Sequence, residues 1–486
     1  MLKRAKRFSC LTFLLVLPAA LLATACMWGV VRNADTGLGV EGATVSYTDS
    51  FGHTGSTTTG AGGLYAFDSA RGPIPAAGSV AIEVSAPGFA SLATDVTVLY
   101  DDNPNATLAN LSSFWEVRSF DLTPLSTEGT IDTLASSLHF PVGAVYDENG
   151  DLFFSERDTC RVRKLDVSAG TISNVAGNGT CGYSGDGGAA TSAGLSAPSG
   201  LGLDDDDHLA IATNGDCRVR VVDLDTGDIS TAAGNGTCGF AGDGGPATSA
   251  QLRLTAAGVE LFAWSDVAFD ASGNLYIADI FNCRIRKVSG GTISTIAGSG
   301  STGFTCGAFS GDGGPATSAR MNQPSGVAVD DHGNVFIGEL GGCRVRKVTS
   351  GGTISTIAGT GVCTPSGNGG DAVDAGLAPV RGLALDDDGN VFISQFTFNM
   401  QVDPMEEIYC QVRRIDEGGT IDAVAGTGTC GFDGDGGLAV DAEIQTPGDI
   451  ALACNGDLAF TSALDDRIRV VHGVNEGGPA PGNMCP

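Results

Sequence analysis

The sequence predicts an all-β chain: a six-bladed β-propeller of four-stranded blades, its last blade closed by an N-terminal strand, preceded by a small β-sandwich. Three observations carry this. A segment reading Gly-Thr-Ile-x-x-Ile-Ala-Gly, or close to it, begins at Gly129, Gly170, Gly227, Gly291, Gly352 and Gly419, and self-similarity at such a period marks repeated supersecondary units. Each copy holds short runs of alternating residues joined by tight turns, which read as one antiparallel sheet. One such sheet cannot bury both of its faces, so copies must stack radially. The composition agrees: 73 glycines, 7% aromatic and 17% charged residues describe a turn-rich β protein.

The chain opens with Lys3, Arg4, Lys6 and Arg7, an apolar run from Leu11 to Leu22, and Ala23-Thr24-Ala25-Cys26. This is the pattern of a secretory signal, residues 1–25. Its end resembles a bacterial lipobox, with alanine in place of the usual leucine; the resemblance implies cleavage before Cys26 and lipidation of that residue. No later stretch approaches the roughly 20 apolar residues of a spanning helix, so the membrane is expected to be met through the lipid alone. Losing the four cations of the signal takes the formal charge from −30 to −34. So acidic a chain repels nucleic acid and anionic lipid, and favours cationic partners.

Residues 26–125 form the first domain. Its runs Gly29-Val30-Val31-Arg32, Gly42-Ala43-Thr44-Val45-Ser46-Tyr47 and Thr57 to Phe67 alternate as short strands. Thr36-Gly37, Gly42-Ala43-Thr44-Val45, Thr59-Gly60 leading to Tyr65, and Ala86-Pro87-Gly88-Phe89 resemble the carboxypeptidase regulatory-like domain, a transthyretin-like sandwich. The resemblance implies a spacer or weak-binding role without catalytic residues.

Residues 126–478 carry the repeats and 479–486 a C-terminal tail. One copy reads Pro324-Ser325-Gly326-Val327-Ala328-Val329-Asp330, a turn at His332-Gly333-Asn334, Val335 to Gly338, Cys343-Arg344-Val345-Arg346-Lys347-Val348, then Gly352 to Gly359. These motifs, with a Gly-Asp-Gly-Gly-Pro-Ala-Thr loop before the proline, resemble the NHL repeat. The first-strand motif and the Arg-x-Arg motif each occur six times, but the sixth copy has no Gly-Thr-Ile strand after it, while one such strand, Gly129 to Ser136, precedes every other element. That strand must complete blade six, beside Pro447 to Val471.

Cysteines follow the same count. Five copies pair a cysteine at the start of the Arg-x-Arg strand with one after the Gly-Thr-Ile strand: Cys160–Cys181, Cys217–Cys238, Cys283–Cys306, Cys343–Cys363 and Cys410–Cys430. Blade six has Asp466 at the first position and lacks the second as well, as pairing within blades requires. Cys454 and Cys485 are left to tie the tail to blade six. Disulfides in this number imply an oxidising compartment, and the spacing does not suit zinc.

Candidate chemistry is sparse. The Gly-Asp-Gly-Gly loops suggest calcium only weakly, since most offer one carboxylate where the ion wants several oxygens. Asp433 with Asp435 is the one candidate pair, Asn368 replaces the aspartate in one loop, and no other cofactor is expected. The Arg-x-Arg ladder reads as scaffold, salt-bridged to acids such as Glu156, Asp279 and Glu339. Propeller lyases and lactonases related to the NHL type hold a metal near the axis through His, Asp, Glu or Asn. Here the matching positions are Val145, Gly202, Ala268, Ala328, Ala384 and Ala451, and no histidine cluster or nucleophile is visible. Departures from repetition fall in blade three (Thr255 to Trp264) and blade five (Phe396 to Tyr409). Both insertions fall on the rim that bears the Gly-Asp-Gly-Gly loops. Phe262, Trp264, Phe396, Phe398 and Tyr409 are the expected anchors for an extracellular protein, peptide or glycan; the other reading is that these segments bury their own aromatics. The expected function is a non-catalytic, lipid-anchored binding module of the cell envelope. The alternatives are a metal-dependent lyase or lactone hydrolase and a structural surface-layer component.

Overall fold

A computed structural model describes residues 26–33, 44–49, 54–58, 64–68, 78–85, 92–98, 118–122, 129–256, 264–300, 306–307, 309–399 and 406–474. The chain divides into two units, Met1–Ser126 and Thr127–Pro486. In the first, Cys26–Asn33 pairs with Leu64–Asp68 antiparallel and with Arg118–Leu122 in parallel. A second sheet runs in the order Thr54–Thr58, Thr44–Asp49, Gly78–Ser85, Leu92–Val98. The signal segment and the packing expected of a sandwich lie outside the described residues and side chains.

The second unit is a six-bladed propeller of antiparallel sheets. Blade one runs Pro141–Tyr146, Leu152–Glu156, Arg161–Asp166, Thr171–Ala176. Its first two strands are buried at every residue, whereas its fourth is mostly exposed. The gradient has a simple origin. Inner strands are walled by neighbouring blades on both faces and are built from Val, Ala, Leu and Phe, while the outer strand alternates with Ser, Thr and Asn. Apolar side chains therefore gather in layers between blades: Val145 and Phe153 of blade one meet Leu201, Leu203, Leu209 and Ile211 of blade two.

Ring closure follows the copy count. Thr130–Ala135 pairs with Arg467–Val471 in the register Ile131↔Val471 and Ala135↔Ile468, and completes blade six. The five disulfides predicted within blades are present, with Cα–Cα separations from 5.0 to 5.7 Å. Cys485 lies outside the described residues. In blade six Asp466 does the same work by hydrogen bonding: its Oδ1 accepts from Phe140 N at 2.9 Å and its carbonyl from Leu138 N at 3.0 Å. Four of the strand cysteines and Asp466 share a left-handed turn, with φ between 47° and 58°, so either residue pins the chain leaving the fourth strand to the start of the third.

Each glycine-rich loop leaves one blade and adds an edge to the next. Gly188–Ala189 pairs with blade two's outer strand, Gly370–Asp371 with blade five's, and Gly437–Leu438 with the closing strand. Gly185 is required here: its φ is +91°, and a Cβ would stand 2.7 Å from Ala193 Cα.

Candidate functional site

The loop aspartates reach across to the next blade. Asp243 accepts from Arg286 Nη2 at 2.6 Å, Asp312 from Arg346 Nη2 at 2.5 Å, and Asp435 from Arg469 Nη2 at 2.6 Å, while Asp186 pairs with Arg220. All four arginines are fully buried. The other oxygen of each aspartate accepts from a fourth-strand threonine, as Asp435 Oδ2 does from Thr133 at 2.6 Å. The acids expected at the end of the second strand complete the clamp in two blades, Arg286–Asp279 at 3.1 Å and Arg346–Glu339 at 3.2 Å, and in blade one Glu156 pairs with Arg163 at 3.1 Å with no loop aspartate beside it among the described residues. For the calcium candidate, both Asp435 oxygens are held by hydrogen-bond donors, and Asp433 Oδ1 accepts from Gly434 N at 2.7 Å. This donor set fits a charge clamp and not a cation cage.

The rim aromatics need correction. Trp264 is 8% exposed and Phe396 is fully buried. They pack 6.0 Å apart, with Phe140 6.1 Å from Trp264, so the bases of the two insertions meet in the core and do not stand out as anchors. Tyr409 is half-buried and donates to Gln411 Oε1 at 2.5 Å. Phe262 and the side chain of Phe398 lie outside the described residues.

The small residues expected at the axis do line it, around a channel of about 60 Å³. The position that departs from the repeat lies two residues earlier on the same strand. Where other copies carry Gly143, Gly200, Gly326 and Gly382, blades three and six carry Asp266 and Asp449, which line both this channel and a pocket of about 20 Å³ at its mouth. Asp266 accepts from Val267 N and from Val327 N of blade four; Asp449 accepts from Ile450 N and from Ala144 N of blade one. Burial pushes the Asp449 carboxyl up to about 7, and burial together with the Asp449 charge pushes Asp266 well above the carboxylate range. Arg381, stacked 4.1 Å from the Phe396 ring centroid, lines the mouth pocket and is held down to about 9 by burial. These spaces hold a few waters at most and are far below the roughly 300 Å³ of an ordinary ligand pocket.

The opposite face is different. Between blades four and five opens a groove of about 820 Å³. Its walls carry Asp330 and Asp331, then Asp386, Asp387 and Asp388, then Asp416 and Glu417, against one lysine, Lys347, and His332. Burial raises Asp386 and Asp387 above the usual carboxylate range, and the charges of Asp386, Asp331 and Asp388 raise Asp387 further. In blades one and three the turn aspartate is neutralised by a third-strand lysine: Lys164–Asp147 at 2.8 Å and Lys287–Asp270 at 3.1 Å. Here Asp330 and Asp386 instead bond Asn334 and Asn390, and Lys347 lies 4.7 Å over the Phe336 ring. Asp330, Asp331 and His332 bring one ligand atom each within 4.8 Å of one another, but Asp330 is occupied by its turn, accepting from His332 N and Asn334 N.

Residues 293–366 match the model of the Teneurin NHL domain. This stretch of the propeller is of the NHL type. Mouse teneurin-1 is 33% identical over 92 residues, 17% of this chain and 3% of its own length. Human teneurin-1 is 25% identical over 247 residues, 44% of this chain and 8% of its own. The chain thus spans a small fraction of these curated relatives. Among solved structures, a protein of unknown function from Bacteroides thetaiotaomicron aligns over 88% of this chain and 90% of its own (16% identity, TM-score 0.48). A virginiamycin B lyase from Staphylococcus aureus covers 70% of this chain and 97% of its own (10%, 0.38), and a gluconolactonase from Xanthomonas campestris 72% and 89% (13%, 0.42). These likenesses are of fold alone.

Proposed function

We propose that the protein is a non-catalytic binding module of the cell envelope, anchored by lipid on Cys26, whose NHL propeller takes a lysine- or arginine-rich protein segment in the groove between blades four and five. The observation that carries this reading is the groove itself. It has the volume of a recognition site and holds seven carboxylates against one lysine, on a chain of net charge −30. A cationic segment laid there relieves the mutual repulsion that raises Asp387, and it is steered in by the field of the whole molecule. The axial spaces, at about 60 and 20 Å³, are too small for a lactone ring, which favours binding over hydrolysis on this scaffold.

The test is titration of the oxidised chain, lacking residues 1–25, with a fluorescent oligolysine peptide at two ionic strengths. An Asp387→Asn/Asp388→Asn/Glu417→Gln variant is measured beside it, with Asp186→Asn on the other rim as the control. Affinity should fall at least tenfold in the triple variant, weaken with salt, and be unchanged in the control. Equal affinity in all three proteins would sink the groove as the site.

A further inference from the structure

The groove between blades four and five is not acidic throughout. Its carboxylates all stand on turns: Asp330 and Asp331 follow the first strand of blade four, Asp386 to Asp388 the first strand of blade five, and Asp416 and Glu417 its third strand. Strands and a loop supply an apolar share of the lining. Phe336, Leu385, Val391 and Ile415 form a floor whose members are 5% exposed or less. Two aliphatic side chains are open to solvent. Ile357, on the fourth strand of blade four, is half-buried, and Val373, on the short helix Ala372–Asp374 that leads into blade five, is 49% exposed.

Val373 departs from the repeat. The same helix reads Ala-Thr-Ser in the loops that enter blades two, three and four, where Thr191, Thr248 and Thr317 are exposed. Valine and threonine share a shape, so the exchange changes one thing: a hydroxyl that water satisfies becomes a methyl that water does not. A lone exposed valine needs no explanation, and Val440 stands exposed at the same place in the loop into blade six. What sets Val373 apart is its company. It lines one groove with half-buried Ile357, which packs against the core between blades four and five, and with seven carboxylates. A bare run of lysines would satisfy those carboxylates and leave the aliphatic wall wet, whereas a segment with aliphatic side chains beside its lysines covers both.

We infer, resting on the function proposed for this groove, that its occupant is an amphipathic basic segment: lysines or arginines go to the turn carboxylates, and an aliphatic side chain of the size of leucine seats on Val373 and Ile357. The two chemistries do different work. The carboxylates steer in any cationic chain, and the aliphatic seat discriminates among cationic chains, because affinity is gained there only by a partner that brings apolar surface to it.

The experiment titrates the oxidised chain, lacking residues 1–25, with two fluorescent hexapeptides of equal charge, one alternating lysine with serine and one alternating lysine with leucine. The leucine peptide should bind the parent roughly fivefold more tightly, the gain from covering one leucine and its seat. In Val373→Thr that ratio should fall below about twofold while the serine peptide binds as before, since the hydroxyl under a leucine loses its water. Val440→Thr should keep the parent's ratio. Both substitutions install a residue that sister loops already carry on the surface, so the folded ring is retained. Equal affinity of the two peptides for the parent, a ratio that survives Val373→Thr, or one lost equally in Val440→Thr would overturn the inference and leave the acidic groove standing. Failure of both peptides to bind the parent would refute the groove itself and the inference with it.

Discussion

Neutralising Asp435 should weaken the propeller more than neutralising its equivalent Asp312, although both make the same two bonds to an arginine and a threonine. Among the described residues Asp435 is the one carboxylate ion-paired with buried Arg469, whose remaining bonds go to the carbonyls of Glu443 and Asp433. It also holds the ends of the ring together, since Thr133 belongs to the closing strand. Arg346 keeps Glu339 at 3.2 Å when Asp312 is lost. Breaking one partner from a fully buried pair costs roughly 3–5 kcal/mol. The Asp435 carboxylate is 35% exposed, so water screens the orphaned charge, and about 2 kcal/mol is the better expectation for Asp435→Asn. Asp312→Asn should cost under ~1 kcal/mol, because a charged partner remains. The assay is urea unfolding of the oxidised chain. Of its three tryptophans, Trp28 and Trp115 are replaced by phenylalanine so that Trp264 alone reports on the propeller. Equal costs for the two substitutions, or a neutral Asp435→Asn, would refute the claim that carboxylate partnering of the arginines sets the strength of each junction.

Three further outcomes are expected. Asp449 is raised from 3.8 to about 7 in the folded protein, so its contribution to stability is complete below the unfolded value and is lost as pH rises through the folded one. Unfolding free energy should fall by on the order of 2–3 kcal/mol between about pH 5 and about pH 8 relative to Asp449→Asn, and parallel pH profiles would contradict this. Removing Cys343 and Cys363 together opens a loop of 20 residues and should cost roughly 3 kcal/mol in the same urea assay; no loss of midpoint would show that the bridge is dispensable. Trp264→Ala, unfolded in urea with circular dichroism as the signal, should cost about 3–5 kcal/mol as a core truncation while leaving oligolysine affinity unchanged, and lost affinity at full stability would return Trp264 to the role of a binding anchor.

Blade number, ring closure and the within-blade disulfides were legible because each is a matter of counting copies, and counting needs no knowledge of what touches what. Contacts between copies were not. Asp312 and Arg346 sit in consecutive segments that every blade repeats, and repetition alone does not say whether an arginine takes its acid from its own strand or from the loop that enters the blade. Both happen, and Arg286 does both. Asp266 and Asp449 were readable as departures from a glycine position, but only the closed ring brings blade three and blade six together at the axis. The buried state of Trp264 and Phe396 is a tertiary outcome of two insertions meeting, and an insertion read alone gives no sign of which face it buries. The acidic groove was missed for the opposite reason: its aspartates each explain themselves as turn caps, so their sum across two blades went unread.

Charge compensation separates scaffold from site in this propeller more sharply than residue type does. The same third-strand and turn positions are ion-paired in blades one and three and unpaired at the junction of four and five. At the loop position Asp312 ion-pairs Arg346 in blade four, whereas in blade five Asn368 stands there and Arg413 bonds two carbonyls. The third-strand cation position is filled here too, by Lys347 and Arg414, so the excess of charge lies in the turn carboxylates themselves. An excess of carboxylate gathered at one junction is what a surface looks like when its missing counter-charges are supplied by another molecule. Reinstating one of them in the chain, by Asp387→Lys in the groove, should therefore raise stability while reducing oligolysine binding. Unchanged oligolysine affinity in that variant would refute the reading.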